Sequence, residues 1–279
     1  MKRIYLIGLI SLVLSTVFAA TLCAQNTDPN RLTVSFSDPS RPGLLKVNLL
    51  QGRITVKAHN NNNVIINTVD GQGRSSNRRQ SEAEAQGLRR LENTASGLSV
   101  DEENNVMSIS TGSWNRTANL EILVPTRTNL QLKTVNGGPI NVEGVDGDLE
   151  VSNDNGPVSL TDVAGSVVAH SLNGTVTASL RRVTPQKAMS FTSLNGKVDV
   201  TLPGDTKANL KVRSDNGDVW TDFDVTLRNN APPTVTDNRT RGGRYRIEVD
   251  RNILGSINGG GPDFLIQTMN GSIYIRKAK

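Results

Sequence analysis

A four-residue motif, Ser/Thr-x-Asn-Gly, recurs along the second half of this 279-residue chain, and each copy sits between short runs of alternating apolar and polar residues. It reads Thr134-Val135-Asn136-Gly137, Ser171-Leu172-Asn173-Gly174, Ser193-Leu194-Asn195-Gly196, Ser214-Asp215-Asn216-Gly217 and Thr268-Met269-Asn270-Gly271. A further copy, Asn153-Asp154-Asn155-Gly156, opens with Asn. From Asn136 to Asn216 successive copies fall 19, 18, 22 and 21 residues apart. A chain that turns the same corner at a near-constant interval is stacking copies of one supersecondary unit, because one unit alone cannot bury its apolar face.

The flanking runs define the unit. The positions four and six before each motif Asn are Leu132/Leu130, Val151/Leu149, Ala169/Val167, Phe191/Met189, Val212/Leu210 and Ile266/Phe264. The residues between them are mostly polar, so the period is two and one face of a strand is buried. Alternation resumes after the motif, as in Ile140/Val142 and Val198/Val200, and a second corner follows in Val145-Asp146-Gly147 and Val163-Ala164-Gly165. Glycine suits a corner that needs positive φ. Aromatic residues are 4% of the chain and glycines number 25, a composition that fits thin, layered β-structure.

Two all-β architectures meet this pattern. In a β-solenoid of roughly 20-residue coils, equivalent strands stack in parallel. In an antiparallel β-meander or sandwich, each Asn-Gly is a two-residue hairpin turn. The repeated Ser/Thr-x-Asn favours the solenoid. Parity places both the Ser/Thr and the Asn inward, where equivalent amides can form a ladder through Asn136, Asn155, Asn173, Asn195, Asn216 and Asn270, with Gly137, Gly156, Gly174, Gly196, Gly217 and Gly271 at the corners.

Residues 1–24 read as a secretory signal: Lys2 and Arg3, an apolar stretch from Ile4 to Phe18, and Leu22-Cys23-Ala24 before Gln25. The alternatives are an uncleaved anchor or lipidation at Cys23. Residues 25–119 form an N-terminal β region with weaker versions of the unit, a loop from Gly71 to Arg79, and helical propensity over Ser81 to Gln86. Residues 120–279 carry the repeat, interrupted at about 223–261, and 25–279 reads as one continuous domain. The final unit, Phe264 to Ile275, is expected to cap the stack.

Catalytic chemistry is sparse. Cys23 is the only cysteine, so cleavage after Ala24 removes every thiolate and disulfide. His59 and His170 stand apart and read as surface histidines, and no metal site or cofactor is expected. Asp215, Asp218, Asp222 and Asp224 cluster at one corner, where acids most often accept turn hydrogen bonds; a carbohydrate-active enzyme would use them as paired carboxylates. Asn258 to Asp263 resembles one calcium-binding glycine repeat without the spacing. Trp114, Trp220 and Tyr274 are candidate sugar platforms, Trp220 first because its parity is outward. Arg241, Arg244 and Arg246 form a basic cluster suited to anionic polymers. Nucleic acid is not expected of an exported chain with so few aromatics.

The run Leu120-Glu121-Ile122-Leu123-Val124-Pro125, then Leu130 to Gly137, then the repeated units, resembles a bacterial putative-adhesin family and is similar to the head GIN domains of autotransporter adhesins. The resemblance spans about residues 30–279 and implies a β-solenoid-like domain in the periplasm, on the outer-membrane surface or secreted. It implies no established activity and carries over no catalytic residue. The expectation is a non-enzymatic, adhesin-like protein binding or scaffolding envelope polysaccharide or protein, without a membrane span once the signal is cleaved. The alternatives are a carbohydrate-active β-helix enzyme and a periplasmic sensory or accessory domain of a membrane partner. Open stack ends would allow self-association.

Overall fold

A computed structural model describes residues 31–70, 98–111, 117–228, 234–237, 245–248 and 252–279. The expected signal, the Ser81 to Gln86 helix and Trp114 lie outside these. Among the described residues every regular element is a β-strand.

The strands make two walls. One wall runs, in spatial order, through β5 (Leu98–Glu103), β6 (Val106–Thr111), β2 (Gly43–Leu49), β8 (Thr128–Thr134), β10 (Asp146–Asn153), the second half of β11 (Val158–Ser171), β13 (Met189–Ser193), β21 (Asp263–Asn270), β15 (Ala208–Asn216), β20 (Ile253–Ile257) and β17 (Val225–Leu227). The other runs through β1 (Arg31–Ser35), β4 (Asn63–Asp70), β7 (Ala118–Pro125), β3 (Ile54–His59), β9 (Ile140–Glu143), the first half of β11, β12 (Val176–Val183), β14 (Val198–Leu202), β22 (Ile273–Lys277) and β16 (Val219–Thr221). β18 (Thr234–Asp237) and β19 (Tyr245–Glu248) form a separate antiparallel pair.

Pairing within the stack is parallel from β6 to β15 and from β7 to β16, and antiparallel strands stand at the ends. The strands on either side of an Asn-Gly do not form a hairpin. β8 pairs with β2 and β10, while β9 pairs with β3 and β11. The architecture is therefore solenoid-like, and the meander is set aside. The weak N-terminal unit, β2, Gln51-Gly52 and β3, joins the same stack.

The core lies between the walls. Leu45, Leu130, Leu149, Val167, Met189, Phe264 and Leu210 form one inward row, and Val47, Leu132, Val151, Ala169, Phe191, Ile266 and Val212 the next. The facing wall contributes Ile54, Ile140, Val158, Val176, Val198 and Ile273. Each fully buried large side chain contributes about 1.5–3 kcal/mol. Ala169 and Ala178 leave their coil thin beside the coil that carries Phe191, so bulk is exchanged between neighbouring layers.

The last unit in sequence is not the last in space, contrary to expectation. β21 inserts between β13 and β15, and β22 inserts between β14 and β16. The chain builds the terminal coil, β15 and β16, and leaves through β17. It returns along β20 and fills the gap with its final two strands. The interruption of the repeat is the excursion that permits this exchange.

The glycines of the Asn-Gly corners are needed for a different reason than expected. Of the six, Gly271 alone has positive φ, at 157°, and Gly137, Gly156, Gly174, Gly196 and Gly217 do not. A Cβ on Gly174 would collide with the Gly156 carbonyl, one on Gly196 with the Gly174 carbonyl, and one on Gly217 with the Gly271 carbonyl. Close stacking of backbones excludes a side chain. Positive φ does hold at the second corner for Gly165, at 121°.

Candidate functional site

The Asn-Gly corners stack into a ridge with two hydrogen-bonded columns. In the inner column four motif hydroxyls donate to the corner carbonyl of the neighbouring coil: the buried Ser171 Oγ to Gly156 O at 2.9 Å, Ser193 Oγ to Gly174 O at 2.8 Å and Thr268 Oγ1 to Gly196 O at 2.7 Å, and the half-buried Ser214 Oγ to Gly271 O at 2.9 Å. Asn153 donates from Nδ2 to Gly138 O at 3.2 Å in the position that breaks the Ser/Thr rule. In the outer column every motif Asn except Asn136 donates from Nδ2 to the Oδ1 of the Asn on the neighbouring coil. The bonds run Asn155 to Asn136 at 3.0 Å, Asn173 to Asn155 at 2.8 Å, Asn195 to Asn173 at 2.7 Å, Asn270 to Asn195 at 2.7 Å and Asn216 to Asn270 at 2.8 Å.

The ladder is present, but it is exposed, not inward. The chain leaves strand geometry after the Ser/Thr, so period-two parity no longer governs the Asn two residues on. The residue between them also points out. Leu172, Leu194 and Met269 are consecutive in space and 37%, 37% and 46% exposed, with Asp154 and Asp215 at the same motif position on either side.

A second surface lies on the outward face of the other wall, at its β16 end. Trp220 is 57% exposed and stands in register beside Tyr274 of β22, which stands beside Asp199 of β14. The Arg276 guanidinium lies 5.0 Å from the Tyr274 ring centroid and donates from Nε to Asp199 Oδ1 at 2.9 Å. The Asp199 carboxylate raises the pKa of Arg276 above its ordinary value. Lys197 Nζ stands 3.8 Å from the other Asp199 oxygen. Two aromatic rings with an ion pair alongside thus sit on a rigid sheet. Sequence order hid this group, since Trp220 and Tyr274 become neighbours only through the exchange of the last two strands.

A third feature is a crevice of about 240 Å³ where the loop before β2, the β3–β4 turn and the β7–β8 corner converge. Phe36, Pro42 and Pro125 supply apolar surface, while Arg41, Arg127, His59, Asn60, Asn61 and Asn62 supply polar groups. Its loop is held by acids outside the lining. The Ser40 hydroxyl, then the Arg41 guanidinium and the Ser40 N–H, hold the Asp38 pKa down from 3.8 to about 2. Ser37 donates to Glu102 and holds that carboxyl below its usual range as well.

The remaining candidates do not converge. Asp215 is tied to Arg213 at 2.8 Å, and Asp222 accepts from the Lys277 N–H at 2.7 Å. His59 Nε2 contacts Asn63 O at 2.7 Å, and His170 Nδ1 contacts Thr192 Oγ1 at 2.9 Å; both rings are half-buried instead of freely exposed. Among the described residues no three His, Cys, Asp or Glu are grouped to hold a metal. Arg241 and Arg244 lie outside the described residues, as does the side chain of Arg246.

Two walls of parallel strands, joined at stacked corners around one shared core, define a solenoid-like all-β protein. The chain belongs to the Toastrack DUF4097 family, whose model matches residues 30–276. A search of curated proteins found no match. Two solved structures are similar. One is described as a "putative cell adhesion protein" from Clostridium sporogenes ATCC 15579, 11% identical, covering 89% of this chain and 99% of that chain at a TM-score of 0.38. The other is described as a "putative adhesin" from Bacteroides fragilis NCTC 9343, 12% identical, covering 89% and 96% at 0.28.

Proposed function

We propose that this chain is an exported, non-enzymatic binding protein that holds carbohydrate polymers of the cell envelope on the outward face of the wall ending in β16. The observation that carries this reading is the pairing of Trp220 with Tyr274 beside the Arg276–Asp199 ion pair. Sugar rings present apolar C–H faces that pack on an exposed aromatic face such as that of Trp220, and the Arg276–Asp199 pair, whose guanidinium lies over the Tyr274 ring, offers both donors and acceptors to hydroxyls. The rings stand on strands, so little order has to be gained on binding. Arg241, Arg244 and Arg246 would add attraction for an anionic polymer.

The test is retention of the mature protein on immobilised envelope and capsular polysaccharides, with released fragments measured in the same samples. Trp220→Ala and Tyr274→Ala should each weaken retention about five-fold or more, the weight of one aromatic contact of about 1 kcal/mol, without moving the melting temperature. Unchanged retention in both variants would sink the platform. Released fragments would replace the binding reading with an enzymatic one.

A further inference from the structure

The exposed ladder selects one of its six chemically similar rungs for modification. Each motif Asn precedes Gly, which has no side chain to shield its amide nitrogen, and each is exposed to water. The Asn bonds all point the same way along the stack. This direction is fixed independently, because Asn155 Nδ2 also reaches the main-chain carbonyl of Val135 at 3.1 Å, an oxygen that can only accept. Asn155, Asn173, Asn195 and Asn270 therefore each donate one ladder bond and accept another. Asn216 donates only, and Asn136 accepts only.

We propose that Asn136 is the preferred site of spontaneous conversion to aspartate and isoaspartate in this protein. The Gly137 amide nitrogen, having lost its proton, attacks Asn136 Cγ. A C–N bond forms, the Cγ–Nδ2 bond breaks, and Nδ2 leaves as ammonia after taking up a proton. Water then opens the cyclic imide at either carbonyl. The net exchange is amide plus water for carboxylic acid plus ammonia, with no change of oxidation state.

At an interior rung the departing Nδ2 is a bound donor, and swinging Cγ toward the backbone breaks two amide bonds. At Asn136 it breaks one, and Asn155 keeps its bond to Val135 O when that happens. The product differs as well. A carboxylate at position 136 still accepts from Asn155, now with a charge-assisted bond. A carboxylate at Asn173, Asn195, Asn270 or Asn216 would face the Oδ1 it formerly donated to. At Asn270 the attacking nitrogen is itself engaged, since Gly271 N–H donates to Asn216 O at 3.2 Å. The Asn258-Gly259 pair lies outside the motif and donates to two main-chain carbonyls, Gly204 O at 3.0 Å and Thr206 O at 2.7 Å, which pins it.

The experiment is incubation of the folded, full-length mature chain in heavy-oxygen water at mildly alkaline pH, followed by peptide mapping. Heavy label should appear at position 136 on the order of five-fold faster than at Asn173 or Asn195, the weight of one additional amide hydrogen bond. In Asn173→Ala the ladder is cut, so Asn195 becomes an accept-only rung and should now label at the rate of Asn136. Equal labelling of all rungs, or an interior rung leading, would overturn the assignment. So would an Asn195 rate unmoved by Asn173→Ala. Asn136→Asp should keep the melting temperature and Asn173→Asp should lower it; the reverse order would also count against ladder control.

Discussion

At the scale of single residues, close backbone approach decides more than turn conformation does. Gly174→Ala places a Cβ against the Gly156 carbonyl and the Pro157 nitrogen, all main chain, so nothing flexible can yield. It should destabilise by about 2 kcal/mol or more, as overpacking and backbone strain do. Gly204→Ala has nothing within 4 Å of its Cβ and no positive φ, so it should be neutral or stabilising by about 0.4–1 kcal/mol. Urea midpoints of the two variants check the contrast, and equal losses would mean that stacking distance is not what the corner glycines serve. A second expectation concerns Asp38. Its folded pKa of about 2 lies below the ordinary 3.8, so its contribution to the crevice loop is fully present above about pH 4 and is lost as pH falls toward 2. Ser40→Ala should raise that pKa, because the Ser40 hydroxyl is its first cause; a carboxyl-carbon NMR titration reads it. The corner motif was legible in the sequence from its spacing, but the exposure of Asn136 and its partners was not. Parity is a rule about strands, and the Asn lies past the strand end.

At the scale of elements, inward rows follow directly from alternation. Every apolar position counted back from a motif Asn, from Leu130 to Ile266, is buried. The neighbours of each row were not legible for the last unit. Phe264 packs in the interior of the stack between Met189 and Leu210, not beneath solvent at an end. Phe264→Ala should therefore cost the full 3–5 kcal/mol of a buried aromatic truncation. A residue on a terminal cap would lose less, since part of its surface would already be wet. Chemical denaturation should give a lower midpoint at an unchanged slope; a loss near 1 kcal/mol would argue for a frayed C-terminal position. The site on the outward face was half legible for the same reason. Trp220 could be found from its own strand, but Tyr274, Arg276 and Asp199 reach it only through pairings that cross the exchanged strands.

At the scale of the whole molecule, the strand exchange ties the terminal coil to the rest of the stack as one cooperative body. Among the described residues, β15 and β16 have no parallel neighbour except β21 and β22. A chain ending at Gly261 would leave β13, β14, β15 and β16 each without the strand that bridges them, and would remove Phe264, Ile266, Ile273 and Ile275 from the core. Were the last unit a cap, the same cut would fray one edge and spare the rest. The structure instead predicts a loss of about 5 kcal/mol or more, the sum expected from deleting several core side chains. It also predicts a broad transition with dye-binding apolar surface before full unfolding. A peptide of residues 262–279 added in trans should restore the sharp transition, because its two strands carry their own corner, Asn270-Gly271, and both faces of the gap await them. Retention of the full-length melting temperature by the truncated chain would refute this. Such a result would require β15 to close directly onto β13, a slip that equivalent corners make chemically plausible. The Ser214 hydroxyl would then have to find the Gly196 carbonyl that Thr268 occupies in the intact stack.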